Sequence, residues 1–384
     1  MTKIILKYFD EAQFTLTDNF TKNDLNVEKS MGKASLISFR EDNIPDLQSS
    51  VDEIQTNKDY YKKHTYIFPL HYVKEEYPSA IVEQWESKAT EIIKNNIEFL
   101  SKPNVFCCVN DLLESWESHS YSLDYLIKRF PSVKFFALTA NKRFSHGNSV
   151  YADRWQNRFV AYNDIIDYKP NKTYINLTRV ARRHRCLLLD VLYSRNLISA
   201  GYNTFGNAWD NFNLNYKAEF TKTNIESIDF DVLDVEDLQS VNPNYFVPRE
   251  CERSFLFLTT ETCIRNNNMF FTEKTYKPIG IGMPFILLGN PGMLQDLRNR
   301  GYVTFDEWWD EGYDYDIPVE HRINMIVDVI DKLNKYDVGS LLSIRDEMKS
   351  VLEHNLNLYK ILRRKNQIRE GIRRYINEHS TNNS

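Results

Sequence analysis

Apolar positions follow two rhythms, short unbroken blocks and longer stretches at helical spacing, and their alternation predicts an α/β chain with parallel strand pairing. In the first half, TKIILK (2–7), HTYIFPLHY (64–72), NVFCCV (104–109) and KFFALTA (134–140) read as strands. Pro69 is expected to bend the second or end it early, because proline cannot donate to a sheet ladder. Ile81, Trp85, Ala89, Ile92, Ile93 and Ile97 recur near helical spacing, so 78–100 reads as a helix. A second helix follows from Asp111 in DLLESWESHSYSLDYLIKRF, and the Asp- and Asn-rich stretch between the first two strands reads as loops with one or two short helices. From 140 to 172 the pattern lapses, which suits a surface passage with a domain junction near 168–172.

The rhythm restarts with the strand TYINLTR at Thr173. A helix carrying Leu187, Leu188, Leu189, Val191, Leu192 and Leu197 follows, Gly201 closes it, and YNTF (202–205) reads as a short strand. Beyond an acidic loop at 230–237, RSFLFLTTE (253–261) is a strand that delivers Glu261 at its end. The run FFTEKTYKPIGIGMPFILLG (270–289) then places Thr272, Glu273 and Lys274 at a strand-to-helix turn. Its short helix is stopped by Gly280, Gly282 and Pro284, and Phe285–Leu288 forms a buried strand. Met293–Asn299 is predicted as a helix, Tyr302–Phe305 as a strand, EWWDEGYDYD (307–316) as a polar aromatic loop, and 320–335 and about 340–378 as helices.

The 384 residues are enough for two domains with an ample core. Hydrophobic residues at 42% and charged residues at 26% fit a soluble globular protein. A net charge of −5 lacks the basic footprint of a chain that grips nucleic acid by charge alone, while leaving room for a local basic face. The five cysteines (Cys107, Cys108, Cys186, Cys251, Cys263) include no CxxC pair and no histidine at ligand spacing, so they read as reduced thiols. Neither a secretory leader nor an apolar run of membrane-spanning length is expected, and the expected compartment is the cytoplasm.

Two clusters carry candidate chemistry. The turn at Thr272–Lys274 offers free backbone N–H groups and the positive end of a helix, a ready site for phosphate, with Lys274 adding a point charge. Glu273 would repel phosphate but suits a sugar diol, as in dinucleotide sites, so the trio points to a nucleotide sugar. An ordinary helix start, capped by Thr272 with Glu273 in the first turn, fits the same residues. Arg179, Arg182, Arg183, His184 and Arg185 crowd the junction between TYINL and the helix after it. Such a cluster is costly unless an anion offsets it, and a diphosphate does so through forked guanidinium contacts; a solvated basic face is the plainer reading.

In the order RHRCLLLDVLY (183–193), FLTTET (257–262), FTEKTYKPIGIGMPFILLG (271–289) and GYVTFDEWWDEGYD (301–314), the second half resembles the donor domain of fucosyltransferase-type glycosyltransferases. It is still more similar to bacteriophage-type glycosyltransferases that share a TEKTxKPI run. The resemblance spans roughly 173–316. It implies two Rossmann-like α/β domains facing a cleft (the GT-B type) and an inverting, metal-independent transferase that needs no cofactor beyond its nucleoside-diphosphate-sugar co-substrate. The expected organisation is an acceptor-side domain over 1–170, a donor domain over 171–340, and a long basic C-terminal helix over 341–384 packing back across the cleft.

Carried over by motif, Glu273 would bind the ribose hydroxyls, Lys274 and Arg185 the diphosphate beside Arg183, and Glu261 would lie near the donor sugar, with Thr272 at the same turn. The family has Asn and Ser after this glutamate, where Thr262 and Cys263 stand here, so the sugar is left open. Inversion needs a carboxylate to take the acceptor proton. Glu114 is the first candidate because DLLESW follows a strand; Asp111 is the second and His71 the third. The acceptor is either a hydroxymethylated base in phage DNA, reached by base flipping in the host cytoplasm, or a glycan or lipid-linked sugar. An inactive nucleotide-sugar-binding module is a further alternative. Asp229–Asp231 and Asp314–Asp316 are DxD triplets of the kind seen in metal-dependent transferases, and Trp308 and Trp309 are stacking candidates.

Overall fold

The computed structural model of the chain describes, with short gaps, residues 3–6, 64–71, 90–110, 117–139, 142–153, 168–178, 182–205, 247–262, 271–364 and 371–379, and a few single positions. These form two compact units. One comprises 1–157 together with 366–384, and the other 158–365. Both are α/β, built on parallel sheets.

The first unit contains β1 (Lys3–Leu6), β2 (His64–His71), α1 (Ile97–Leu100), β3 (Val105–Asn110), α2 (Glu117–Arg129), β4 (Phe135–Thr139) and β5 (Ser149–Tyr151). Its strands lie side by side in chain order, every pair parallel. Pro69 does not end β2, which continues to His71. Among the described residues the pairing with β1 ends at Leu6 to Ile67, before Pro69, and a strand without a neighbour on that side tolerates a missing donor. β5 lies inside the stretch expected to be a plain surface passage; three residues are too few to show a period. Helix α2 turns Leu123, Leu126 and, just past its end, Phe130 onto one face, and all three are buried. Tyr375, in a helical stretch of residues 371–379, packs its ring tilted at 5.0 Å from that of Phe136 and donates to the carbonyl of Phe135 at 3.1 Å.

The second unit runs β6 (Lys172–Thr178), α3 (Arg183–Ser194), β7 (Gly201–Phe205), β8 (Ser254–Thr260), α4 (Glu273–Gly280), β9 (Phe285–Leu288), α5 (Met293–Asn299), α6 (Val319–Leu333) and α7 (Val338–Arg364). Its parallel sheet has the order β7-β6-β8-β9. All seven residues of β8 are buried, as expected for a central strand covered on both faces. Helix α4 ends in a Schellman turn: Gly282 takes φ +64°, its N–H bonds to Ile279, and Met283 N–H reaches back to Pro278. Inside α4, Pro278 supplies no N–H for the Lys274 carbonyl, which accepts instead from Thr259 Oγ1 of β8 at 3.3 Å.

Tyr302–Phe305 is not a strand. The backbone of Val303 is bonded in both directions by one side chain of α7, with its N–H donating to Asn355 Oδ1 at 2.9 Å and its carbonyl accepting from Asn355 Nδ2 at 2.8 Å. Asn355 thus takes the place of a neighbouring strand. α7 also stacks Tyr359 on Tyr276 at 5.7 Å and lays Arg345 over the Tyr168 ring at 3.6 Å. Because Asn355 is 2% exposed, Asn355→Ala strands two backbone groups and is expected to destabilise the unit by about 1–3 kcal/mol, read as a lowered urea midpoint with unchanged slope. The predicted C-terminal helix is divided between the units: α7 belongs to the second, and residues 366–384 to the first. None of the described helices is long and apolar enough to cross a membrane.

Candidate functional site

Strand order locates the site. After β6 the chain moves to β7 on one side and later to β8 on the other, so the sheet changes direction between β6 and β8. In open parallel sheets such a point leaves a crevice beyond the carboxyl ends of the strands, where ligands bind. Helix α3 starts after β6 and α4 after β8, and these two starts carry the arginine cluster and Thr272–Lys274. Because β6 and β8 are direct neighbours, the two clusters converge.

Glu261 ties them together. It is 1% exposed, and both carboxylate oxygens are filled: Oε1 accepts from Thr272 N at 2.9 Å and Thr275 Oγ1 at 2.6 Å, Oε2 from Thr272 Oγ1 at 2.6 Å and Thr262 N at 3.1 Å. One buried side chain thus bonds the end of β8 to the first turn of α4. The end of β9 passes close behind it: a side chain at Gly289 would stand 3.3 Å from Glu261 Cβ and 2.4 Å from Met293 Sδ.

From the other side, α3 grips the same strand end. Arg185 Nη2 donates to the carbonyls of Thr260 and Glu261, each at 3.1 Å. Burial and the nearby charge of Arg182 pull its guanidinium down to about 10, with Glu261 and Glu273 opposing, so it is cationic at neutral pH. His184 lies 2.9 Å from the Glu261 carbonyl through Nε2. Burial, then Arg185, push its pKa down to about 3, so the ring is neutral and Nε2–H is the donor.

This histidine gives the protein an acid-sensitive limb. The unfolded chain takes up a proton near pH 6.5 and the folded one near 3, so stability should fall as pH drops through that window, by up to about 1.4 kcal/mol per pH unit. His184→Gln, which keeps a donor for the Glu261 carbonyl, is expected to flatten the fall when urea midpoints are compared between pH 6.5 and 4.5.

Thr272 is the N-cap of α4, with extended backbone and its Oγ1 accepting from Lys274 N–H at 3.3 Å. Glu273 and Lys274 emerge beside it. Lys274 Nζ lies 2.6 Å from Glu273 Oε1 and 3.4 Å from both Thr262 Oγ1 and Thr272 Oγ1. Burial opposes ionisation of Glu273, but Lys274, a backbone N–H and Lys277 outweigh it and hold the carboxyl below its ordinary value. Lys277 was not among the residues the sequence suggested. It sits one turn past Glu273, is 7% exposed, and burial pushes it down to about 8; its i, i+4 spacing from Glu273 was the available signal.

The arginines divide into three situations. Arg185 is buried on β8. Arg183 points to solvent and pairs with Glu320 of α6 at 3.6 Å. Arg182, the N-cap residue of α3, makes no side-chain cap and is half-buried, and its Nε is enclosed with no hydrogen-bond partner among the described residues. Arg179, Asp111, Glu114 and the Asp229–Asp231 triplet lie outside the described residues, and His71 closes β2 opposite Asn110. Asp314 serves as a cap: its Oδ2 accepts from Leu294 N at 3.0 Å and Gln295 N at 3.2 Å at the start of α5. Trp309 is buried 5.1 Å from Phe305, a packing role, and Trp308 is partly exposed. Among the described residues no group of three or more His, Cys, Asp or Glu is arranged to hold a metal ion. Burial raises Cys107, Cys186 and Cys251 to about 12, so none is a ready nucleophile.

No protein-family model matches the chain, and no curated protein does. Among solved structures it is similar to one described as the crystal structure of a GtfA/B complex, at 11% identity and a TM-score of 0.42, over 87% of this chain. The chain spans 60% of that chain's length.

Proposed function

We propose that the second unit binds a nucleoside-diphosphate sugar at this switch point and that the protein is an inverting glycosyltransferase of the GT-B type. The observation that carries the reading is the convergence, on adjacent strand ends, of two helix starts that both bear cations, α4 also bearing the carboxylate of Glu273. The N-terminal poles of α3 and α4 and the side chains of Arg182 and Lys274 would meet the diphosphate, and Glu273 would accept the ribose hydroxyls. Arg185 and Glu261 act as positioning residues, because their hydrogen bonds hold β8, α3 and α4 in register.

In the proposed reaction the acceptor oxygen attacks the anomeric carbon from the face opposite the nucleotide. The bond from that carbon to the phosphate oxygen breaks, and the nucleoside diphosphate leaves with charge developing on its phosphate. Arg182 and Lys274 oppose that charge, so no metal is required. A carboxylate takes the acceptor proton, and Asp111 and Glu114 are the candidates. A hydroxymethylated base in phage DNA is the first choice of acceptor, on the strength of the TEKTxKPI run, and a glycan or lipid-linked sugar the second, on the resemblance to the fucosyltransferase donor domain.

A thermal-shift screen of nucleotide sugars and nucleoside diphosphates tests the reading. One donor class should raise the melting temperature, since a ligand at a hundred times its Kd stabilises by about 2.7 kcal/mol. Silence across all common donors would sink it. The stabilising donor, incubated with hydroxymethylcytosine DNA and separately with oligosaccharides, should then give a hexose or pentose mass increment on one of them.

A further inference from the structure

The two side chains assigned to opposite parts of the donor are bonded to each other in this structure. Lys274 Nζ stands 2.6 Å from Glu273 Oε1, the pair is mostly shielded, with side-chain exposures of 24% and 13%, and the two threonine hydroxyls at 3.4 Å hold the ammonium in place. Thr272, one of those two, is itself fixed by Glu261, so the pair rests on a rigid support. The carboxylate therefore already has a cation, and the cation already has an anion.

We propose that this ion pair makes recognition of the ribose diol and of the diphosphate conditional on each other, so that the site selects intact nucleoside diphosphates over free pyrophosphate, phosphate or nucleoside. The proposal rests on the donor-site reading above. A ligand that carries only phosphate draws Lys274 away and leaves the shielded carboxylate to Lys277 alone, with a new negative charge in front of it. A ligand that carries only the diol takes Glu273 and leaves the ammonium without its carboxylate. A nucleoside diphosphate replaces both halves at once: the diol hydroxyls donate to Glu273 while the phosphate oxygens accept from Lys274. The pair is then separated once, with both charges satisfied. Binding of the whole exceeds what its fragments predict, and abundant free phosphates are excluded without a steric barrier.

The test is a set of dissociation constants for the preferred nucleoside diphosphate, its nucleoside and inorganic pyrophosphate. They are measured by calorimetry, or by competition where binding is weak, on the full chain and on Glu273→Gln and Lys274→Met. Glu273→Gln is expected to weaken the nucleoside diphosphate but to tighten pyrophosphate by about three- to fivefold, the worth of a part-exposed ion pair. Lys274→Met is expected to tighten the nucleoside by a similar factor while weakening the diphosphate. If the nucleoside diphosphate binds but Glu273→Gln leaves pyrophosphate unchanged or weaker, or pyrophosphate competes with neither protein, the conditional pair is overturned and the donor site stands. If no nucleoside diphosphate binds the unaltered protein, the donor-site reading itself falls. Cooperative thermal unfolding of the unliganded variants establishes that both are folded.

Discussion

Replacing Glu261 by alanine is expected to destabilise the second unit by about 3–5 kcal/mol, the largest effect of any single substitution considered, because it removes the charged partner at the centre of a buried network. Four donors lose their acceptor at once: the N–H groups of Thr262 and Thr272 and the hydroxyls of Thr272 and Thr275. Arg185, buried at the same strand end, loses the carboxylate that helps keep it charged. Glu261→Gln should cost less than the alanine variant but still destabilise, since on either side its amide NH2 would face a backbone N–H, of Thr272 or of Thr262. Urea unfolding followed by tryptophan fluorescence measures both. A loss under about 1 kcal/mol for the alanine variant would show that water replaces the carboxylate freely and that the network is not closed.

Glu273→Ala is expected to divide its effect differently, with a smaller loss of stability than Glu261→Ala and a large change in binding. Its carboxylate is shielded and paired with Lys274 in the first turn of α4, and losing that part-exposed pair and the helix-start acid should cost about 1–2 kcal/mol. Against a ribose diol it would accept two hydrogen bonds to a charged group, so affinity for the nucleoside diphosphate should fall about 10- to 100-fold. The discriminating measurement pairs the variant with a 2′,3′-dideoxy nucleotide. Removing the hydroxyls should weaken binding to the unaltered protein strongly and to the variant hardly at all. Equal losses in the two proteins would place the carboxylate elsewhere.

The elements that set this site were readable because each carries its own signal. RSFLFLTTE is apolar without interruption and proves to be a central strand buried on both faces. Thr272 announces a helix start and caps one. Side-by-side pairing of β6 and β8, which brings the arginines to the Thr-Glu-Lys turn, follows from strand order, and no local pattern encodes it. Helical spacing puts Arg183 and Arg185, two positions apart, on nearly opposite faces, but it does not say which of the two faces β8 and which faces solvent. Tyr302–Phe305 misled for a related reason. An apolar block is equally consistent with a strand and with a segment whose backbone is bonded by a side chain, and here the partner, Asn355, lies 52 positions further on.

The division of the C-terminal residues has a bearing on how the protein is made. Tyr375, whose ring lies against Phe106 and Phe136 and whose hydroxyl bonds the carbonyl of Phe135, comes 240 positions after Phe135 and so leaves the ribosome long after it. The whole 158–365 unit is translated in between. During synthesis the aromatic face of the first sheet must wait for its cover, so the second unit has time to fold before the first is complete. Nascent chains arrested before residue 371 should therefore show protease resistance in the later-made unit while the earlier-made one is still cut.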